Sequence, residues 1–259
     1  MAPVIEPIRI LTWNLERLPR SRRGAVEALL STLDYDIAIL TETRIGFGHE
    51  NDVLAPAGPP EGRFAANERK VAIWSRWGWG DAGRGCGKAE PVPDGVSASR
   101  FVAGTTHTPA GPIRVIGICV PYRFHWVRHA APDGQRRRVW EEHLGFLEAL
   151  TPALRPGATP QVVAGDFNQR VPPVGRLDPV NAVHAREAAM AGHSVLTQDL
   201  LGTDHRLLLC HVASTVPAAE PASVVDRHDE AGHALSDHHG AVVSIQPGGS
   251  PAVVSRGRR

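Results

Sequence analysis

Cysteine is scarce in this chain. There are three, Cys86, Cys119 and Cys210, odd in number, far apart and without a C-x-x-C pair. That argues against a disulfide framework and reads as reduced thiols in a cytoplasmic protein. Net charge is nearly absent: 28 Lys and Arg stand against 27 Asp and Glu, a balance of +1. No global field marks a nucleic-acid or membrane binder, which leaves only a local basic face open. No apolar run approaches the roughly 18 residues of a membrane span. Residues 1–7 lack the basic and apolar regions of a signal peptide, and no internal repeat is visible. The 42% hydrophobic and 21% charged residues of the 259 are ordinary for a globular chain with one large core.

The most informative stretch is Val162-Val163-Ala164-Gly165-Asp166-Phe167-Asn168. A short β-branched run, too short for a helix, reads as a buried strand. Gly165 permits a sharp exit from the sheet or a close backbone approach. On an extended chain Asp166 and Asn168 share one side and Phe167 takes the other, where it can anchor in the core. An Asx-rich turn that merely ends the strand is the competing reading.

The same pattern recurs along the chain. Ile8 to Trp13 alternates as a strand and ends in Asn14 and Glu16, again two apart. Val26, Leu29, Leu30 and Leu33 have helical spacing, with Ser21 as N-cap. Asp36 to Leu40 is a second strand, followed by Glu42, and the three elements make a βαβ-like start. Residues 46–68 read as a long surface loop, and Lys70 to Arg76 as a strand. Trp77 and Trp79 in the following glycine-rich segment read as core packing or loop anchors ahead of base stacking. Val96–Thr106 and Ile113–Val120 read as paired antiparallel strands joined by a Pro/Gly turn.

Tyr122, Arg123, His125 and Arg128 belong to a basic-aromatic run that is the best local signal for phosphate or nucleic acid. A helix is expected from Gln135 to Leu150, its apolar stripe formed by Val139 or Trp140, Leu144, Leu147 and Leu150. Arg136 to Arg138 would then sit at its N-terminus, against the helix dipole, as a phosphate contact or a solvated charge run. Asp178-Pro179 opens a further helix through Ala191. Short strands are expected at 193–197 and 223–226, and longer ones at 206–213 and 241–245. Asp204 precedes one of these, Asp237 and His238 the last. The histidines 205, 211, 228, 233, 238 and 239 fit no standard structural zinc spacing.

Carboxylates collected at several strand ends suit a hard cation, Mg²⁺ or Mn²⁺. The pieces Thr12-Trp13-Asn14-Leu15, Leu40-Thr41-Glu42-Thr43, Ala72-Ile73-Trp74-Ser75-Arg76, Gly165-Asp166-Phe167-Asn168, Asp204-His205 and Ser236-Asp237-His238 appear in an order that resembles the endonuclease/exonuclease/phosphatase superfamily, the DNase-I-like metal-dependent phosphoesterases. The resemblance implies an α/β (α+β) four-layer α-β-β-α sandwich, two mixed sheets face to face with helices outside. It implies hydrolysis of a phosphodiester or phosphomonoester by in-line water, with Glu42 as principal Mg²⁺ ligand and Glu16 and Asp237 beside it. His238, oriented by Asp204, would be general base or phosphate contact. Asp166 would position or activate the water, and Asn14 and Asn168 would hold the site. Which of His238 and Asp166 takes the proton stays open. The family often has His or Tyr where Cys119 stands, so Tyr122, His125, His107 or the metal would have to serve the leaving group.

The resulting expectation is one catalytic domain over 8–246, after a short segment 1–7 and before a basic, disordered tail 247–259. The substrate is a phosphate ester, with DNA or RNA favoured over small or lipid phosphates. The chain is expected to act as a monomer. A catalytically silent binding protein is the alternative, disfavoured by the presence of Glu42, Asp166, Asn168 and His238 together.

Overall fold

The computed structural model describes residues 6–47, 53–56, 60, 64–80 and 89–247. Cys86, most of the expected tail and the first five residues lie outside these. Strand β1 (Ile8–Asn14) leads through helix α1 (Arg23–Thr32) to β2 (Ile37–Arg44), which runs parallel to it with Ile10 opposite Ile37. The βαβ start is therefore present. Next come β3 (Val53–Leu54) and β4 (Glu68–Ser75), then the antiparallel pair β5 (Phe101–Thr108) and β6 (Gly111–Cys119). Helix α2 (Glu141–Leu150), strand β7 (Gln161–Asp166) and helix α3 (Val180–Ala189) follow. The chain continues through β8 (Ser194–Val195), β9 (Cys210–Ser214), β10 (Ser223–Val225) and β11 (Gly240–Ile245).

These strands form two mixed sheets, ordered β10-β11-β1-β2-β4-β3 and β5-β6-β7-β9-β8. Strict alternation along the strands explains the layering. In β1, Ile10 faces the other sheet, with Ile39, Ile73, Val115, Val162 and Val212, while its neighbour Leu11 faces α1 through Val26 and Leu30. In β6 and β7, Ile116, Ile118 and Val163 turn outward to Phe146, Leu147 and Leu150 of α2 and Ala189 of α3. Strands buried on both faces account for near-continuous Val/Ile runs in place of a polar alternation. Each fully buried Ile or Leu contributes roughly 1.5–3 kcal/mol. The result is the four-layer sandwich, helix, sheet, sheet, helices.

Two glycines set close approaches. Gly117 lies between the sheets, where a Cβ would meet Ile73 Cγ2 at 2.6 Å. Gly165 has φ +136°, and a Cβ there would meet the Ile118 carbonyl oxygen at 1.9 Å. The close-approach option for Gly165 is thus the one realised, within β7. Trp79 is buried in the core between the sheets, and Trp77 packs against it.

Several element ends differ from the sequence reading. Helix α1 begins at Arg23 with no side-chain cap, so Ser21 does not cap it. Helix α2 begins at Glu141, six residues later than expected, after Trp140 in a left-handed conformation at φ 74°. Arg136 to Arg138 therefore precede the helix. Its first turn carries Glu141 and Glu142, which suit the dipole, and Glu141 Oε2 accepts from the Arg138 amide at 2.8 Å. The buried face is His143, Phe146, Leu147 and Leu150, while Val139 is exposed. Asp178 does not cap α3. It is buried and accepts from the Arg170 and Val174 amides. Strand β9 starts at Cys210, with a turn over 203–205, and β3 falls in the expected loop 46–68.

Candidate active site

The strand register fixes the centre of the site. Cys119 of β6 pairs with Asp166 of β7, and Asp166 with Cys210 of β9. Directly opposed residues project from the same face, so a carboxylate stands flanked by two thiols. Asp166 is 2% exposed and is secured by three N–H donors. Oδ2 accepts from Asn14 Nδ2 and from Asn168 Nδ2, each at 2.9 Å, and Oδ1 accepts from the Asn168 amide at 2.9 Å. The Asn14 bond crosses from one sheet to the other. Burial pushes the Asp166 carboxyl up, against the lowering effect of His238 and of these hydrogen bonds. Asn168 also donates to the Val120 carbonyl at 2.8 Å, and Phe167 is buried with its ring edge-on to His211.

The loop before β11 is clamped onto β1. Ser236 Oγ donates to the Asn14 carbonyl at 2.6 Å, and the Trp13 indole donates to the His238 carbonyl at 2.8 Å. This sets His238 Nδ1 3.9 Å from Asp166 Oδ1 and 3.7 Å from Cys210 Sγ, with Nε2 3.6 Å from Asp237 Oδ1. Asp204 is elsewhere. Its carboxylate faces His239 Nε2 at 3.4 Å and Arg227 at 3.5 Å. The expected Asp204–His238 pairing is corrected to Asp204–His239, and Cys210 takes the position beside His238. The reason is the start of β9 at Cys210, which leaves Asp204 in the preceding turn.

Glu42 stands at φ 50° within β2, and its Oε1 accepts from Lys70 Nζ at 2.7 Å. Asp237 is open to solvent over 58% of its side chain. Partial burial first, then the nearby Glu16 and Glu42 charges, push its carboxyl up, against His238. Carboxylates close enough to disfavour one another's charge are a donor set that fits a hard divalent cation. Glu16 is placed differently from expectation. The chain leaves β1 after Asn14, Glu16 adopts φ 48°, its amide donates to Asn14 Oδ1, and its carboxylate is taken by Arg22 at 2.5 Å. Alternation holds only while the chain is extended, so Asn14 and Glu16 do not share a face.

These groups line a cleft of about 1730 Å³ that includes Asn14, Glu42, Asp166, Asn168, Asp237 and His238. Tyr122 and His125 line it too, whereas Arg123 stacks over the Phe124 ring at 4.6 Å and Arg128 is exposed. Arg137 lines the cleft and is paired with Asp133 and Glu142. Sequence reasoning missed three contributors. Lys70 enters from β4, one position beyond the strand register that carries Thr41 and Val71. Arg100 is 6% exposed, donates to the Cys119 carbonyl at 2.9 Å and stands 3.4 Å from His125 Nε2. It fills the space beside Cys119, and burial, Arg100 and Lys70 bring His125 down to about 3. His125 is thus a neutral hydrogen-bonding group at pH 7. The third is Gln169, next to Asn168. Its side-chain amide donates to His143 Nε2 at 2.6 Å and to the Ala182 carbonyl at 2.8 Å, and its carbonyl accepts from His211 at 3.0 Å. His143 Nδ1 donates to the Pro121 carbonyl.

The fold has many solved counterparts. The endonuclease domain of TRAS1, a telomere-specific non-LTR retrotransposon, is 18% identical, covers 93% of this chain and 99% of its own, and has a TM-score of 0.55. Sphingomyelinase C from Streptomyces griseocarneus is 13% identical over 93% of this chain and 100% of its own, at 0.59. An endonuclease/exonuclease/phosphatase from Beutenbergia cavernae DSM 12333 is 16% identical over 95% and 72%, also at 0.59. At such identities the likeness is one of fold. No curated protein matches the sequence significantly. The sequence profile of the Endonuclease/Exonuclease/phosphatase family matches residues 11–238, nearly from the first strand to His238. With the two face-to-face sheets and the Asn14–Asp166–Asn168 centre they present, the chain belongs to the endonuclease/exonuclease/phosphatase family of phosphate-ester hydrolases.

Proposed function

We propose that this protein is a divalent-metal-dependent phosphodiesterase whose substrate is a polynucleotide. The observation that carries the reading is the buried, triply hydrogen-bonded Asp166 at the base of an open cleft, with His238 beside it and Glu42 and Asp237 at the same wall. Glu42 and Asp237 would hold Mg²⁺ or Mn²⁺, with Glu16 joining only on release from Arg22. The cation would supply charge neutralisation at the phosphoryl oxygens.

The chain's own residues have separable roles. Asn14 and Asn168 fix the Asp166 carboxylate, and burial raises its affinity for a proton, so the ionised Asp166 is suited to take a proton from the attacking water. His238 contacts the phosphate and shares the proton with Asp166. Arg100 places a fixed positive charge next to Cys119, where the leaving oxygen would develop its own charge. His125, neutral, accepts a hydrogen bond in that wall and does not act as the acid. His107 lies in β5 and does not line the cleft.

The nucleic-acid reading rests on the wall formed by Tyr122, His125, Trp126, His129 and Arg137, which offers rings and positive charge along the cleft. Arg136 and Arg138, exposed and outside any ion pair among the described residues, extend it. No helix of the described residues is long and apolar enough to cross a membrane. The reading takes the catalytic unit as residues 8–246, monomeric, with its buried thiols reduced.

The test is a metal-dependent activity screen. Plasmid, single-stranded DNA, RNA and an abasic duplex are compared with inositol phosphates, sphingomyelin and an aryl phosphodiester. Turnover of a polynucleotide in Mg²⁺ is expected, together with a salt dependence of binding that flattens in the Arg136→Ala/Arg138→Ala variant by about one log–log unit per lost phosphate contact. Turnover confined to lipid or inositol phosphates removes the nuclease reading.

A further inference from the structure

Among the described residues, the ligand atoms that all lie within 4.8 Å of one another belong to Asp166, Cys210 and His238. The carboxylates of Glu16, Glu42 and Asp237 do not form such a group. We infer that Asp166, Cys210 and His238 form a second cation site, selective for a soft or borderline divalent metal such as Zn²⁺ and distinct from the hard-cation carboxylates. Three observations carry the inference.

The first is spacing. His238 Nδ1 stands 3.7 Å from Cys210 Sγ and 3.9 Å from Asp166 Oδ1. A tetrahedral ion with metal–sulfur bonds of about 2.3 Å and metal–nitrogen or metal–oxygen bonds of about 2.0 Å spans ligand–ligand edges of about 3.3–3.6 Å. The Asp166–Cys210 edge also lies within 4.8 Å, so side-chain adjustments of up to roughly 1 Å bring the three ligands to bonding distance. The second is donor chemistry. One sulfur, one imidazole nitrogen and one carboxylate oxygen suit Zn²⁺ and are a poor set for Mg²⁺, which demands oxygen. The third is support around the ligands. Asp166 is fixed by Asn14 and Asn168, and His238 Nε2 faces Asp237, the carboxylate that orients a metal-bound histidine from behind. Asp166 and His238 line the cleft, which gives the ion a path from solvent, while Cys210 is fully buried.

Binding breaks the Cys210 S–H bond: the sulfur electron pair goes to the metal and the proton to solvent. Without a metal, burial holds that thiol in its neutral form. Occupancy would take His238 Nδ1 and Asp166 away from proton transfer, so the site would act as an inhibitory trap for zinc. That consequence rests on the proposed phosphodiesterase activity; the binding does not.

The test is a Co²⁺ titration of the full chain in excess Mg²⁺, followed by Zn²⁺ displacement. Expected is a thiolate-to-cobalt charge-transfer absorption saturating at one equivalent and erased by Zn²⁺. It should be absent in Cys210→Ala and Cys210→Ser, both checked for folding by circular dichroism, and retained in Cys86→Ala/Cys119→Ala. No absorption in the wild type, survival in a folded Cys210 variant, or loss in the Cys86/Cys119 variant overturns the site. Zn²⁺ inhibition relieved by chelator is read separately. Binding without inhibition leaves the site standing and removes Asp166 and His238 from the proposed chemistry.

Discussion

Glu16, Glu42 and Asn168 all hold left-handed backbone, at φ 48°, 50° and 51°. Such conformations cost a non-glycine residue about 1–3 kcal/mol each and persist where surrounding structure over-determines them. At Glu42 the strain turns a strand side chain toward Lys70 and the cleft. Glu42→Gln keeps size and backbone while removing the charge a cation needs. A loss of about 100-fold or more in Mg²⁺-dependent turnover is expected with an unchanged thermal midpoint; wild-type turnover would discard Glu42 as a ligand. His238 invites a sharper test. His238→Ala should cost about 10²–10⁴-fold in kcat. Asp204→Asn acts on His239 and Arg227, so its effect should add to that of His238→Ala and be non-additive with His239→Ala. Strong coupling between Asp204 and His238 would restore the pairing that the sequence suggests. Sequence pattern could not separate the two candidates, because Asp237-His238-His239 offers adjacent histidines, and only the start of β9 decides which one Asp204 meets.

The turn after β7 shows how an element is held in register by residues with no catalytic chemistry. Gln169 links it to α2 through His143, to α3 through Ala182 and to β9 through His211. Gln169→Leu fills the space but leaves His143 Nε2 and the Ala182 carbonyl without this donor. A loss of about 1–3 kcal/mol is expected in urea unfolding, with a fall in kcat larger than any change in KM because Asn168 loses its tether. Unchanged stability and kcat would mean the turn is self-supporting. The strands were legible because β1, β2, β7 and β11 carry short apolar, β-branched runs bounded by breakers. Gln169 was not, since one polar residue in a turn looks like solvent-facing chain until three elements converge on it. The start of α2 was misread for a related reason. Arg136 to Arg138 are acceptable helix formers, and the left-handed Trp140 that delays the helix leaves no mark in composition.

For the molecule as a whole, buried neutral histidines set the response to acid. Burial lowers His143 and His211 to about 4, despite hydrogen bonds that raise them. Between about pH 6.5 and 4 the unfolded chain binds protons at these positions that the folded chain refuses, so stability falls as pH drops through that window, by up to about 3 kcal/mol per group. The raised Asp166 acts in the opposite sense, holding a proton the unfolded chain has released, and so offsets part of the loss. Urea midpoints at pH 7.5 and pH 5 should therefore differ, the latter lower; equal midpoints would show that His143 and His211 titrate normally in the fold. The bond from Asn14 to Asp166 spans 152 residues, that from Trp13 to His238 spans 225, and β11 inserts between β1 and β10 in the interior of its sheet. Timing follows from this threading. On the ribosome, β1 waits without its antiparallel neighbour until residues 240–245 have cleared the exit tunnel, so a nascent chain shorter than this carries Asp166 and Glu42 yet has no closed site. Hydrolytic capacity waits on the docking of this six-residue strand.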